Sequence, residues 1–278
     1  MFIYIFYLKY IKYLKYMRIS CIQLCSGNDI KKNFSFSKHL ILKAIKQKSD
    51  LIITPETSSL FGLNKRQLLE KATSMEKDFY LIEIKKLAKQ YKKWISTCVV
   101  TKVNNKIKNR SVLISPKGLI QAYYDKIHMY DVSLSKSEKY FESKTYEPGK
   151  LIKTTNLPWG KLGLSICYDI RFPNMFRKLS KKGALFISVP SAFAETTGKK
   201  HWHSLLKARA IENFCYIFAP AQCGLHWNGR KTYGHSVIIS PDGQILKELK
   251  KDTGIITVDI DTNLPRVLRK RIPSLKED

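Results

Sequence analysis

Gly160-Lys-Leu-Gly-Leu-Ser-Ile-Cys-Tyr-Asp-Ile-Arg-Phe-Pro173 opens as an apolar, strand-like run, Leu162 to Ile166, and stops abruptly at Cys167. Polar residues and Pro173 follow, then a helix-compatible segment from Asn174 to Lys182. A strand that breaks directly into a helix puts its junction residue on a sharp turn, side chain exposed and backbone N–H groups free. The helix N-terminus beyond favours a thiolate over a thiol. A plainer reading also exists, because free cysteine usually behaves as a small buried hydrophobe. Cys167 is a candidate nucleophile by position, and the rest of the chain must supply its partners.

Outward from this stretch the same grammar recurs. Leu185 to Pro190 reads as a strand, His201 to Asn213 as a helix and Cys215 to Ala221 as a strand. Ser236 to Ser240 and Ile245 to Leu249 flank the turn Pro241-Asp-Gly243, and Gly254 to Ile260 closes the series. Toward the N-terminus, Arg18 to Leu24, Asp50 to Thr54 and Trp94 to Lys102 are strand-like. Asn33 to Gln47, Lys65 to Glu76 and Asp78 to Tyr91 carry helical spacing. Asn104-Asn105 and Pro116-Lys-Gly118 are hairpin turns joining further strands, Arg110 to Ser115 and Leu119 to Asp125. Alternating strands and helices with interspersed hairpins predict an α/β sandwich of mixed sheets covered by helices. The two Pro-x-Gly hairpins hint at a quasi-repeat of halves. No Gly/Ser/Pro-rich linker divides the chain, so one domain is expected over 17–278.

The 278 residues suffice for a large core, and 44% hydrophobic with 26% charged residues describes an ordinary globular composition. Six cysteines without a Cys-x-x-Cys pair exclude a zinc ribbon and a thioredoxin-type motif and point to a reducing, cytoplasmic compartment. A net charge of +28 invites a nucleic-acid reading. The lysines, however, are scattered in short pairs such as Lys85-Lys86 and Lys199-Lys200, and they outnumber the arginines on which base and phosphate readers rely. A solvated basic surface is expected, with no specific nucleic-acid partner. Phe2 to Leu8 is apolar but too short to span a bilayer. Lacking a basic n-region, it does not read as a signal peptide; with Lys9, Lys12 and Lys15 it allows a basic amphipathic membrane-surface helix, but the favoured expectation is that residues 1–16 are an extension outside a fold beginning at Met17.

Three other strand ends carry ionisable groups. Glu56 follows Leu51-Ile-Ile-Thr-Pro, Lys126 follows Ile120-Gln-Ala-Tyr-Tyr-Asp, and Glu142 lies in the loop Tyr140-Phe-Glu-Ser-Lys. Singly, each reads as a cap, a surface lysine or a loop acid. Together, Thr54-Pro-Glu-Thr57, Tyr124-Asp-Lys-Ile-His-Met-Tyr-Asp131 and Ile166-Cys-Tyr-Asp-Ile-Arg-Phe-Pro173 resemble, in order, the three motifs of the nitrilase superfamily of carbon–nitrogen hydrolases. The resemblance runs from about Met17 to Ser274. It implies an αββα sandwich and a cofactor-independent amidase without a metal, using a Glu56-Lys126-Cys167 triad with Glu142 positioning water and substrate. It further implies a small-molecule amide substrate and a homodimer or higher homo-oligomer, although the short stretch after Leu275 leaves the usual dimer contact open.

Pro190-Ser-Ala-Phe-Ala-Glu-Thr-Thr-Gly198, Ala221-Gln-Cys-Gly224 and Tyr233-Gly-His-Ser236 resemble the branch containing deaminated glutathione amidase and ω-amidase, leaning toward the former. An ω-amidase or nitrilase is the alternative within the family, and a basic nucleic-acid- or membrane-associating protein with a vestigial triad is the alternative outside it. In this branch Arg171 is placed to take a substrate carboxylate, or else to pair structurally with Asp169 or another acid. Tyr168, Thr196, Thr197 and Trp202 are candidate pocket residues. His201-Trp-His203 lacks a nearby third ligand, so zinc is not expected.

Overall fold

The computed structural model describes residues 15–277. The apolar start of the sequence extension therefore lies outside the described residues. Among the described residues sixteen strands run in chain order. The first eight are β1 (Tyr16–Gln23), β2 (Leu51–Ile53), β3 (Trp94–Val103), β4 (Lys106–Ile114), β5 (Ile120–Asp125), β6 (Asp131–Ser133), β7 (Lys139–Phe141) and β8 (Lys153–Leu157). The others are β9 (Gly160–Leu164), β10 (Ala184–Ser188), β11 (Tyr216–Ala219), β12 (Cys223–Leu225), β13 (Lys231–Tyr233), β14 (Val237–Ile239), β15 (Ile245–Glu248) and β16 (Gly254–Asp261). The α-helices are α1 (Ile30–Lys46), α2 (Lys65–Lys71), α3 (Phe79–Tyr91), α4 (Pro173–Lys181), α5 (Glu195–Asn213) and α6 (Leu264–Arg271).

Two six-stranded mixed sheets carry the fold, ordered β16-β1-β2-β3-β4-β5 and β8-β9-β10-β11-β14-β15. Each has one antiparallel edge strand, three parallel strands and a terminal antiparallel pair. The Pro116 and Pro241 turns join β4 to β5 and β14 to β15, the same place in each sheet. The quasi-repeat hinted at by these turns is thus a repeat of sheet topology.

Period-two alternation decides which side chain enters which layer. Leu51 and Ile53 face the core between the sheets, while Ile52 faces α1 and α3. Phe186, Phe218, Ile238 and Leu164 answer from the second sheet, whose outer side is covered by α4 and α5 through Phe176, Leu179, Trp202 and Leu206. The layers are helix, sheet, sheet, helix, as expected. Caps fix where the helices begin: the Asp29 carboxylate accepts from the Lys31 and Lys32 N–H groups at 2.9 and 3.1 Å, and Asp78 from Leu81 N–H at 2.7 Å. Helix α5 starts at Glu195, six residues before the expected His201, because Ala194 and its loop turn earlier than the apolar pattern shows. Tyr16 pairs with Asp261, and the Lys15 carbonyl accepts from Thr262 N–H at 2.9 Å, so the first sheet reaches slightly upstream of the expected Met17.

No helix among the described residues is long and apolar enough to cross a membrane.

Candidate active site

Glu56, Lys126 and Cys167 come from three chain segments and meet at strand ends. Glu56 lies three residues past β2, on a turn fastened by Ser58 Oγ donating to Pro55 O at 2.6 Å and by Gln222 Nε2 donating to the Glu56 carbonyl at 2.9 Å. Lys126 follows β5 directly, and its N–H donates to Asn109 O on β4 at 3.0 Å. Gly149 packs on the Asp125 backbone so closely that any Cβ there would collide with it, which explains glycine at that position. Cys167 opens the turn after β9 with φ of 49°, a left-handed conformation unusual outside glycine. The chain just past the end of the neighbouring strand β10 holds it, since Cys167 N–H donates to Pro190 O at 3.0 Å.

Asp169 ties the cysteine turn to the lysine loop. It is fully buried and accepts from Tyr124 Oη at 2.7 Å, Ile166 N–H at 2.8 Å and His128 N–H at 3.2 Å, with His128 Nδ1 at 2.6 Å. It therefore does not pair with Arg171, because its oxygens are already occupied by the lysine loop.

Lys126 is 2% exposed, and its ammonium is wedged between two carboxylates, 2.8 Å from Glu56 Oε1 and 2.7 Å from Glu142 Oε2. Asn109 Nδ2 spans the same pair, donating to Glu56 Oε1 at 2.8 Å and to Glu142 Oε1 at 3.3 Å. Ala192 N–H reaches Glu56 Oε2 at 2.7 Å, and Tyr130 N–H reaches Glu142 Oε2 at 2.7 Å. Burial opposes both charges, yet the Lys126 ammonium keeps Glu56 below the usual carboxylate range, and the two carboxylates hold Lys126 well above the ordinary lysine value.

Cys167 shares the cavity lining with Glu56 and Lys126 and feels the charge of both. Burial and the Glu56 charge push its pKa up, with Lys126 only partly offsetting them. This corrects two sequence expectations. The side chain is 6% exposed and opens on a cavity rather than on bulk solvent, and burial together with the Glu56 charge disfavours the thiolate. A thiol that shares a cavity with an ionised carboxylate is an arrangement in which a base could take the sulfur's proton.

The cavity has a volume of about 500 Å³ and is lined by Glu56, Lys126, Glu142 and Cys167, with Tyr130, Tyr140, Tyr168 and Phe193 as aromatic walls. That size suits a small organic molecule, for which sites run roughly 300–1,000 Å³. Of the expected pocket residues, only Tyr168 lines it. Trp202 is fully buried behind Phe193, 5.1 Å between ring centroids, and its Nε1–H donates to His235 O. It is a core residue because helix α5 turns that face inward. Thr196 Oγ1 donates to Glu138 Oε2 at 2.8 Å, and the Thr197 hydroxyl turns back to Ala194 O. Arg171 stands outside the lining, its guanidinium 5.9 Å from the Tyr168 ring and 3.2 Å from His201 Nδ1.

Sequence reading missed Asn109 and Arg230, both in the lining. Asn109 left a trace, a polar run Asn109-Arg110-Ser111 inside a strand, whose burial an apolar pattern does not explain. Arg230 left none. His203 does find partners beyond His201: Glu248 Oε1 lies 2.9 Å from His203 Nε2 and 2.6 Å from His235 Nδ1, a grouping with metal-ligand character outside the cavity lining.

Residues 18–270 match the carbon-nitrogen hydrolase family. The chain is 38% identical over 266 residues to deaminated glutathione amidase of Dictyostelium discoideum, covering 92% of this chain and 91% of that one. It is 35% identical over 265 residues to the protein of that name from Yersinia enterocolitica, covering 94% and 92%. Among solved structures, the NitFhit protein of Caenorhabditis elegans superposes with a TM-score of 0.89 at 34% identity, over 95% of this chain and 65% of that longer one. Nit3 of Saccharomyces cerevisiae, of the nitrilase superfamily, superposes at 0.82 with 26% identity over 93% and 95%. This places the chain among hydrolases and leaves the nucleic-acid or membrane alternative without support. The chain belongs to the carbon-nitrogen hydrolase family, within the nitrilase superfamily, and its chemistry is the hydrolysis of amide C–N bonds.

Proposed function

We propose that the chain hydrolyses a small carboxylate-bearing amide through a Cys167 thioester, with deaminated glutathione as the substrate its relatives favour. The observation that carries this is that Cys167 lines one cavity with Glu56, Lys126 and Glu142, the Lys126 ammonium being held between the two carboxylates.

Each step follows from that geometry. Sγ attacks the amide carbon as its proton passes to Glu56, so no standing thiolate is needed. The carbonyl π electrons collect on oxygen, facing the Lys126 ammonium and the N–H of Tyr168. The oxyanion collapses, the C–N bond breaks, and Glu56 returns the proton to the leaving amine. A water molecule positioned by Glu142 then gives its proton to Glu56 and its oxygen to the thioester carbon. The S–C bond breaks, the acid leaves, and Glu56 reprotonates the sulfur. No cofactor or metal enters these steps. Tyr168 supplies wall and N–H, while Arg171, Thr196 and Thr197 lie outside the lining and Trp202 packs behind Phe193. A homodimer or larger homo-oligomer, a cytoplasmic setting, and a domain beginning near Met17 complete the proposal.

The test is turnover of deaminated glutathione, α-ketoglutaramate and a simple nitrile, with mass spectrometry of the acid-quenched protein. An acyl adduct on Cys167, lost together with turnover in Cys167→Ala at unchanged melting temperature, is expected. Turnover that survives in Cys167→Ala removes the nucleophile from its role.

A further inference from the structure

We infer that Arg230 forms a carboxylate subsite in the cavity wall and thereby selects which amides are hydrolysed; this rests on the amide-hydrolase reading above. Arg230 ends the connection between β12 and β13, which is fastened across the cavity mouth. Trp227 Nε1–H donates to Phe61 O at 2.8 Å and Asn228 Nδ2 to Gly62 O at 3.2 Å. His226 Nδ1 lies 2.9 Å from Ser26 O, its Nε2 lies 2.8 Å from Thr232 Oγ1, and its ring stacks on Phe61 at 3.9 Å. The arginine is therefore presented on a braced loop.

Its guanidinium lies over two aromatic rings, 5.3 Å from the Phe61 centroid and 5.0 Å from that of Tyr140. One amino group donates to Ala192 O at 2.8 Å. That bond places the cation beside the acid, since Ala192 N–H holds Glu56. The Nε–H is buried and has no partner, and no carboxylate among the described residues forms an ion pair with Arg230. The nearest cavity acids are engaged elsewhere: Glu56 and Glu142 by Lys126, and Glu138 by Thr196 and Tyr140. Of the eight buried side-chain polar atoms without a partner among the described residues, four belong to residues lining this one cavity, Thr57, Asn109, Tyr130 and Arg230. Unsatisfied groups concentrated in this way mark where a ligand supplies the missing bonds.

The charge balance selects the ligand's sign. At the buried end, two carboxylates share one ammonium, which leaves an excess negative charge that repels an anionic substrate. Arg230 cancels that excess. Its planar fork with a free Nε–H suits the two oxygens of a carboxylate. Aromatic faces beneath the guanidinium keep water from the cation without competing for its hydrogens.

The experiment uses the full chain with glutaramate, the monoamide of glutaric acid, and its methyl ester. Wild type is expected to prefer the acid in kcat/KM, mainly through KM. Arg230→Ala is expected to cut the acid-to-ester preference by roughly 30–100-fold, the scale of one charge-assisted hydrogen bond. Arg230→Lys restores part of it, because charge returns without the fork. An unchanged preference in a folded Arg230→Ala overturns the inference. So does an equal loss for acid and ester, which would make Arg230 only a support for Glu56. A second readout does not need turnover: calorimetric binding of glutarate to Cys167→Ala, and its loss on adding Arg230→Ala. If wild type acylates with neither amide but glutarate binding still depends on Arg230, the hydrolase reading fails while the subsite stands. Binding that ignores Arg230 sinks the subsite itself.

Discussion

Lys126→Met is the perturbation that separates the electrostatic architecture of this site from its packing. The methionine fills much of the volume and removes the charge, leaving Glu56 and Glu142 facing each other with Asn109 as their remaining shared side-chain donor. Breaking one partner of a buried ion pair typically costs about 3–5 kcal/mol. In a domain of this size that corresponds to a fall in Tm on the order of 10 °C at neutral pH. The pH dependence should change sign. In wild type the Glu56 pKa is depressed by folding, so its contribution is present above the unfolded carboxylate value and is lost as pH falls through the folded value. In Lys126→Met the two buried carboxylates lack their cation, and at least one folded pKa rises above the unfolded value. Its contribution is then restored as pH falls and lost as pH rises through the folded pKa. Thermal denaturation of both proteins at pH 5 and pH 7.5 reads this directly: the gap between them should narrow at pH 5. Turnover should fall by at least about 10²–10³ from loss of the oxyanion partner. A constant Tm gap across that range, or a variant with near-wild-type kcat, would refute the reasoning.

Other sites give independent checks. Burial holds His226 neutral, from the ordinary 6.5 to about 4; the unfolded chain therefore binds more protons between these values, and stability falls by roughly 3 kcal/mol as pH drops through them. Denaturant titrations of wild type and His226→Gln at pH 7 and pH 4 should show that slope in wild type and a smaller one in the variant. Asn109→Leu removes the donor that spans both carboxylates and should lower kcat by about 10–100-fold with little change in KM; an unchanged kcat would reduce Asn109 to packing. Gly149→Ala forces a methyl group into the Asp125 backbone and should cost about 1–3 kcal/mol, measured by chemical denaturation, with activity falling as Lys126 shifts.

How far the sequence carried depends on the scale at which each feature is written. Leu51-Ile-Ile and Leu162-Gly-Leu are buried strands whose apolar runs declare themselves, and the Asn104-Asn105 turn appears with both residues at positive φ, as its composition asks. Glu56, Lys126 and Cys167 were legible because each interrupts such a run at its end. Asn109 was not, because it sits within a strand, and only the third dimension shows that its amide meets two distant acids. Trp202 misled for the converse reason: an aromatic beside a functional segment has no local mark that says which face of the helix turns inward. Arg230 is invisible among many basic residues until the tertiary fold sets it over Phe61 and against Ala192.

The common thread is the repeated sheet plan. Each half contributes three parallel strands in register, and the functional groups leave from strand ends: Glu56 after β2, Cys167 after β9, Ala192 after β10. The carboxyl ends of parallel strands present unpaired backbone groups and short loops at one edge, which is where α/β sheets gather their sites. Packing two such sheets face to face brings one loop set against the other. Thus Glu56, from the first sheet, takes its N–H donor from Ala192 of the second, and Tyr124 of the first donates to Asp169 of the second. The proposed acid and the proposed nucleophile belong to different halves, so the two meet only when the sheets are docked. A mutation in the inter-sheet core, such as Phe186→Ala, should therefore lower the concentration of competent sites in step with folded protein while leaving the chemistry of each folded molecule nearly intact, the opposite of what Lys126→Met does.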